Sequence, residues 1–91
     1  MENQHRKISG YRELNQTEID LMNEVKALGV VMENLLVKVA AHVAPQHHEG
    51  SDQTNNRLAN ATPERFLELA KTEFQTGLMY ATRAVAQPEF F

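Results

Sequence analysis

The chain has 91 residues, no cysteine and a formal net charge of −3, from 9 Lys and Arg against 12 Asp and Glu. That length holds one domain. The missing cysteines exclude disulfides, thiolate zinc sites and a cysteine nucleophile, and the acidic balance excludes a general DNA or RNA coater, which needs a broad basic field.

Residues 1–16 read as a flexible polar arm. Its first twelve residues carry Arg6, Lys7 and Arg12 against Glu2, a local charge of +2 that leaves −5 on the rest. The start of the arm has no apolar h-region, so no secretory signal is expected. No run approaches the ~18–20 apolar residues of a membrane span, so a cytoplasmic protein is expected.

A first helix is predicted over 17–44. Thr17 is a good N-cap, and Glu18 and Asp20 suit the positive end of the helix dipole. Leu21, Val25, Leu28, Met32, Leu35 and Val39 recur at alternating spacings of 4 and 3, the seam of a helix packed along its length. Val31, Leu36 and Val43 widen that stripe, which implies more than one neighbour. Pro45 disfavours helix at Ala44 and ends the segment.

Residues 45–61 read as a loop whose only strongly apolar residue is Leu58. Its 17 residues exceed the usual ~2–8 of a helix connection, so a mobile segment or a short turn is expected. A second helix is predicted over 62–87. It opens with Thr62 as N-cap, Pro63 at the first helical position and Glu64 behind it. Phe66, Leu67, Ala70, Phe74, Gly77, Leu78, Ala81 and Val85 follow at helical spacing, and Pro88 closes the segment.

The expected fold is all-α: an antiparallel two-helix hairpin with a flexible N-terminal arm. If Ala44 pairs with Pro63 across the turn, Gly29 falls opposite Leu78, one residue from Gly77. Two glycines near one level predict close backbone approach or room for a ligand. Two helices cannot enclose a core, and the terminal Phe90 and Phe91 add to the apolar surface needing cover. Assembly into a homo-oligomeric helical bundle follows, with any pocket between protomers.

No catalytic constellation emerges. His42, His47 and His48 cluster near Glu49 and Asp52, but no His-x-x-x-His pair lies on a helix face, so no metal is expected. Ser9 and Ser51 lie in polar contexts outside any nucleophile elbow. Gly50 and Gly77 are isolated, so there is no phosphate-binding loop and no cofactor is expected. Glu64, Glu68 and Lys71 pair as surface charges.

Two features carry more information. Tyr11 and Arg12 follow Gly10, placing an aromatic ring beside a guanidinium. Such a pair serves either to anchor a chain end or to meet a base and a phosphate. Lys26 sits mid-helix near the level of Gly29. It either snorkels to water or points at a phosphate in a pocket between protomers. Lys71, Thr72, Gln75 and Thr76 add donors along the second helix.

The stretches GYREL (Gly10–Leu14) and EIDLMNEVKALG (Glu18–Gly29) resemble the N-terminal half of a bacteriophage anti-CBASS helical-hairpin family. AKTEFQTGLMYATRAVAQP (Ala70–Pro88) is similar to that family's C-terminal motif: Lys/Arg-Thr-Asp/Glu-x-Gln-Thr-Gly, then Arg-Ala-x-Ala-Gln-Pro. Together these cover more than a third of the chain; 45–61 shows no match, and Glu73 stands where Asp is commoner.

The resemblance implies a homohexamer that sequesters cyclic dinucleotides of the cyclic GMP-AMP type, uncleaved, in the host bacterial cytoplasm. It implies that Tyr11 stacks on a base and Lys26 meets a phosphate, with Arg12 adjoining. Some members of the family also bind cyclic trinucleotides at a second site, for which Lys71 and Thr72 are the candidates. The charge pattern is compatible, since a dianionic ligand with two flat bases needs a few cations and an aromatic face. The alternative is a hairpin that docks on another protein through its second apolar edge, with no nucleotide ligand. An enzyme cleaving the same signal ranks third, for want of a nucleophile with a partner base.

Overall fold

The structure, a computed structural model, describes residues 12–89; the arm through Tyr11, and Phe90 and Phe91, lie outside the described residues. In chain order come α1 (Gln16–Val43), a 3-10 segment (Ala44–His48), α2 (Asp52–Ala61) and α3 (Pro63–Ala86). Among the described residues there is no strand. Helices α1 and α3 form the hairpin, and principal extents of 65 × 22 × 18 Å make it a rod.

The N-cap of α1 is Asn15, where Thr17 was expected. The Asn15 side chain accepts from the Glu18 amide at 2.9 Å, and the Glu18 carboxylate accepts from the Asn15 amide at 2.9 Å. This reciprocal box satisfies two of the donors a helix start leaves open, which a single Thr17 hydroxyl cannot do. Asn15-x-x-Glu18 was legible as a start signal.

The segment 45–61 is mostly helical rather than a loop. Ser51 caps α2 by accepting from the Thr54 amide at 3.2 Å, and Asp52 fills the first turn. Glu49 holds the Ser51 hydroxyl at 2.8 Å, while Gly50 turns the backbone at φ +92°. Thr54 and Leu58, one turn apart, share the buried face of α2. Low overall hydrophobicity hid a helix that needs only two inward positions. Thr62, at φ 44°, ends α2 with its amide on the Leu58 carbonyl at 2.9 Å and starts α3. Pro63 disfavours right-handed helix at Thr62 and so separates the two segments.

Along the hairpin the packing register is that predicted: a Cβ on Gly29 would lie 3.2 Å from Leu78 Cδ1. Gly77 instead faces open space, so the two glycines do not meet within one chain. The α1 seam keeps Val25 and Met32 from the expected set and Leu36 and Val43 from the widened stripe, with Met22 and Gly29 inward in place of Leu21 and Leu28. Glu18, Ile19, Met22, Val25, Gly29, Met32, Leu36 and Val43 are the partly or wholly buried positions of α1, whereas Leu21, Leu28 and Leu35 are exposed. At ~100° per residue the exposed leucines form a second stripe about 90° from the first. Val30 and Val37 are exposed on a third side.

Apolar residues thus wrap most of α1, and this corrects the expectation of no span-length apolar segment. The stretch Gln16–His48 holds an 18-residue window of mean hydropathy 1.5, long and apolar enough to cross a membrane by length and composition. Only 6% of that window is buried within the hairpin. Across the described chain the buried residues are Val43, Thr54 and Leu58, all at the closed end. The accessible surface is 7309 Å². A compact monomer of 10.3 kDa exposes about 5400 Å². The hairpin has a surface to be covered, and its own core is small.

Leu58→Ala is expected to cost about 2 kcal/mol, the low end for a buried leucine in so small a cluster. The loss should appear as faster amide exchange in α2, which hydrogen-exchange mass spectrometry can read. Unchanged exchange there would show that α2 does not depend on this side chain.

Candidate functional site

An open groove of about 740 Å³ runs along one face of the α1–α3 hairpin. Its walls are mostly apolar, with Val30, Val37, Leu67 and Phe74 among them. Lys26 and Lys71 both line it. The helical frame explains this: Lys26, Val30, Glu33 and Val37 recur at spacings of 3 and 4 and so share one side of α1. From the Gly29–Leu78 contact, Lys71 is level with Leu36, so the two lysines stand about 15 Å apart along the axis.

Lys26 is exposed and has no ion pair among the described residues. Thr72, the neighbour of Lys71, is exposed and outside the groove lining. Tyr11 lies outside the described residues.

Electrostatically the groove is mixed. Glu33, Glu64 and Glu68 line it together with the two lysines, so the wall of one hairpin carries more negative than positive charge. The carboxylates lie toward the closed end and Lys26 toward the open end. Lys26 is the groove cation furthest from those carboxylates, with Gln75 lining the same groove.

Arg12 is committed elsewhere. Its guanidinium forms a two-pronged pair with the Glu18 carboxylate and donates to the main chain at the end of α3: Nε to the Ala86 carbonyl at 3.0 Å and Nη2 to the Val85 carbonyl at 2.9 Å. The Glu18 carboxyl is held below its ordinary value by the Arg12 hydrogen bonds first and the Asn15 amide second. The same pairing raises Arg12. The sequence alone did not reveal Glu18 as this partner, since its spacing from Arg12 fits no helical pair.

At the other end His47 Nε2 meets Glu64 Oε2 at 2.6 Å, tying the 3-10 segment to the first turn of α3. That contact lowers the Glu64 carboxyl. Side-chain hydrogen bonds from Thr54 and then Ser51 lower Glu49. No group of three or more His, Asp or Glu is placed to hold a metal among the described residues.

A pH dependence follows from these three carboxyls. Each is lower in the folded chain than its ordinary value of 4.5, so each contributes stability above that value and loses it as pH falls through the lowered folded one. Melting midpoints by circular dichroism should therefore fall below pH 4.5. A midpoint that holds or rises on acidification there would contradict the pairing.

The arrangement is that of an elongated helical hairpin with an open groove and exposed apolar seams on α1. Residues 5–86 match the family model described as the Acb2/Tad1 hairpin domain, and the chain belongs to that family. It is 44% identical to anti-CBASS protein 2 of Pseudomonas phage JBD67, over 98% of this chain and 98% of that protein.

Proposed function

We propose that the protein is a phage anti-defence sponge. It binds cyclic dinucleotide second messengers of the cyclic GMP-AMP type between protomers, without cleaving them, and so blocks CBASS signalling in the host bacterial cytoplasm. The observation that carries this reading is the near-full-length likeness to a protein named for anti-CBASS action. Lys26, without an ion pair among the described residues and lining a mostly apolar groove, supports it as the phosphate-meeting cation. Tyr11 supplies the stacking face. A homohexamer accounts for the exposed seams. Lys71 and Thr72 are the candidates for a second site taking cyclic trinucleotides.

A sponge must outcompete a host sensor, which calls for nanomolar affinity, about −12 kcal/mol. Stacking adds ~1–3 kcal/mol per base, so two bases supply about 2–6 kcal/mol and the phosphate contacts must provide much of the rest. Titration calorimetry with cyclic dinucleotides tests this. Tight binding and recovery of intact ligand on heating are expected. Recovery of linear dinucleotide would make the protein an enzyme. No binding to any cyclic dinucleotide or trinucleotide would leave the second reading, favoured by Leu28, Val31 and Leu35 being exposed: a hairpin whose partner is another protein.

A further inference from the structure

We propose that Arg12 is a positioning residue that closes the open end of the hairpin: it ties the start of α1 to the end of α3 and so fixes the stretch of α3 facing Lys26. The consequence for the ligand rests on the sponge reading; the tie itself does not. Four of the five guanidinium N–H donors are spent, two on the Glu18 carboxylate and two on the Val85 and Ala86 carbonyls. These bonds join parts of the chain up to 74 residues apart in sequence.

Apolar packing holds this end weakly. Among the described residues the buried positions, Val43, Thr54 and Leu58, all lie at the closed end, which His47 and Glu64 also tie. At the open end Met22, Val25, Thr82 and Val85 are only partly buried, and helix ends are where local opening starts. From the Gly29–Leu78 contact, Lys26 is level with Ala81. The Val85 carbonyl lies four residues further on, about 6 Å along the axis. The held carbonyls therefore stand about one turn beyond the part of α3 opposite Lys26.

Both helix dipoles favour the tie. Glu18 stands in the first turn of α1, where the dipole is positive, and Arg12 covers terminal carbonyls of α3, where it is negative. The helix ladder leaves the carbonyls of a last turn open, and α3 stops at Ala86 with Gln87 left-handed at φ 53°. The planar fork matters: a lysine at 12 offers a point charge and cannot reach the carboxylate and both carbonyls at once.

Hydrogen-exchange mass spectrometry of the ligand-free protein reads the tie. Arg12→Gln is expected to speed exchange several-fold over 79–86 and to leave 52–61 unchanged. Glu18→Gln acts in the same direction with a smaller effect. A glutamine at 18 still accepts from the Asn15 amide, as capping boxes use Gln as well as Glu, so the start of α1 is spared and the ion pair is lost. Arg12→Lys does not restore the slow exchange. Unchanged exchange over 79–86 in Arg12→Gln, or equal loosening over 52–61, would overturn the tie.

Binding then separates positioning from contact. If Arg12 touched the ligand phosphate, Glu18→Gln would free the guanidinium from a competing carboxylate and hold or tighten binding. As a positioning residue, Arg12→Gln weakens cyclic GMP-AMP binding by about tenfold, Glu18→Gln weakens it too, and the double variant is little worse than Arg12→Gln. Unchanged or tighter binding in either single variant would overturn the positioning role. If the wild type binds no cyclic dinucleotide, the sponge reading fails while the exchange still decides the tie.

Discussion

Lys26→Ala is expected to weaken cyclic dinucleotide binding by at least about tenfold and to leave the helical signal intact. The ammonium is exposed, has no ion pair among the described residues and stands against apolar walls. A phosphate brought there displaces little structure and meets a charge in a partly dry setting, where its attraction is stronger than in water. Alanine is the better helix former, so the substitution removes the charge without harming α1. Lys26→Arg keeps the charge and should retain most of the affinity. Tyr11→Ala is expected to act independently on the stacked base, with a comparable loss. Calorimetry on all three decides the assignment: normal affinity in both alanine variants would remove these residues from the site.

Leu35→Glu is expected to dissociate the assembly into single hairpins. Leu28, Val31 and Leu35 make one outward stripe of α1, each more than half exposed in the isolated hairpin. In a bundle a glutamate at 35 is repeated in every copy and buried without a partner, and an unpaired buried charge costs several kcal/mol. Light scattering after gel filtration should give the mass of an assembly of 10.3 kDa chains for the wild type and of a smaller species for the variant. Because Val43, Thr54 and Leu58 are the only buried positions among the described residues, the separated chains should also melt earlier. A variant that assembles and melts like the wild type would place the interface on another face. Wild type that is itself monomeric would leave the seam to a different protein partner.

Much of the fold was legible in the sequence because long amphipathic helices declare themselves locally. Pro45 and Pro63 bracketed the connection, and the pairing across it placed Gly29 against Leu78. Val25 and Met32 of the expected seam face inward, but Leu21, Leu28 and Leu35 do not, because α1 is apolar on three sides and a period alone does not say which stripe meets which neighbour. α2 was missed because composition dominates a short segment. Its helix depends on the Ser51 cap and on Thr54 and Leu58 turned inward, and ten polar-rich residues with two inward positions carry little periodic signal.

For the site, the residue types were visible and their partners were not. Lys26 stood out as a mid-helix cation by sequence, but only the hairpin shows that it shares a groove with Lys71 and three carboxylates. Arg12 read either as an anchor for a chain end or, by the resemblance, as a neighbour of the ligand, and the structure shows it in an anchoring contact. Its commitment to Glu18 and to the last carbonyls of α3 depends on two chain ends meeting, which no local pattern encodes. Sequence by itself determined the two long helices and their pairing register, because propensity, capping and hydrophobic period act over a few residues. Tertiary structure decided which apolar stripe is spent inside the hairpin and which charges are already paired, because both depend on contacts between residues far apart in the chain.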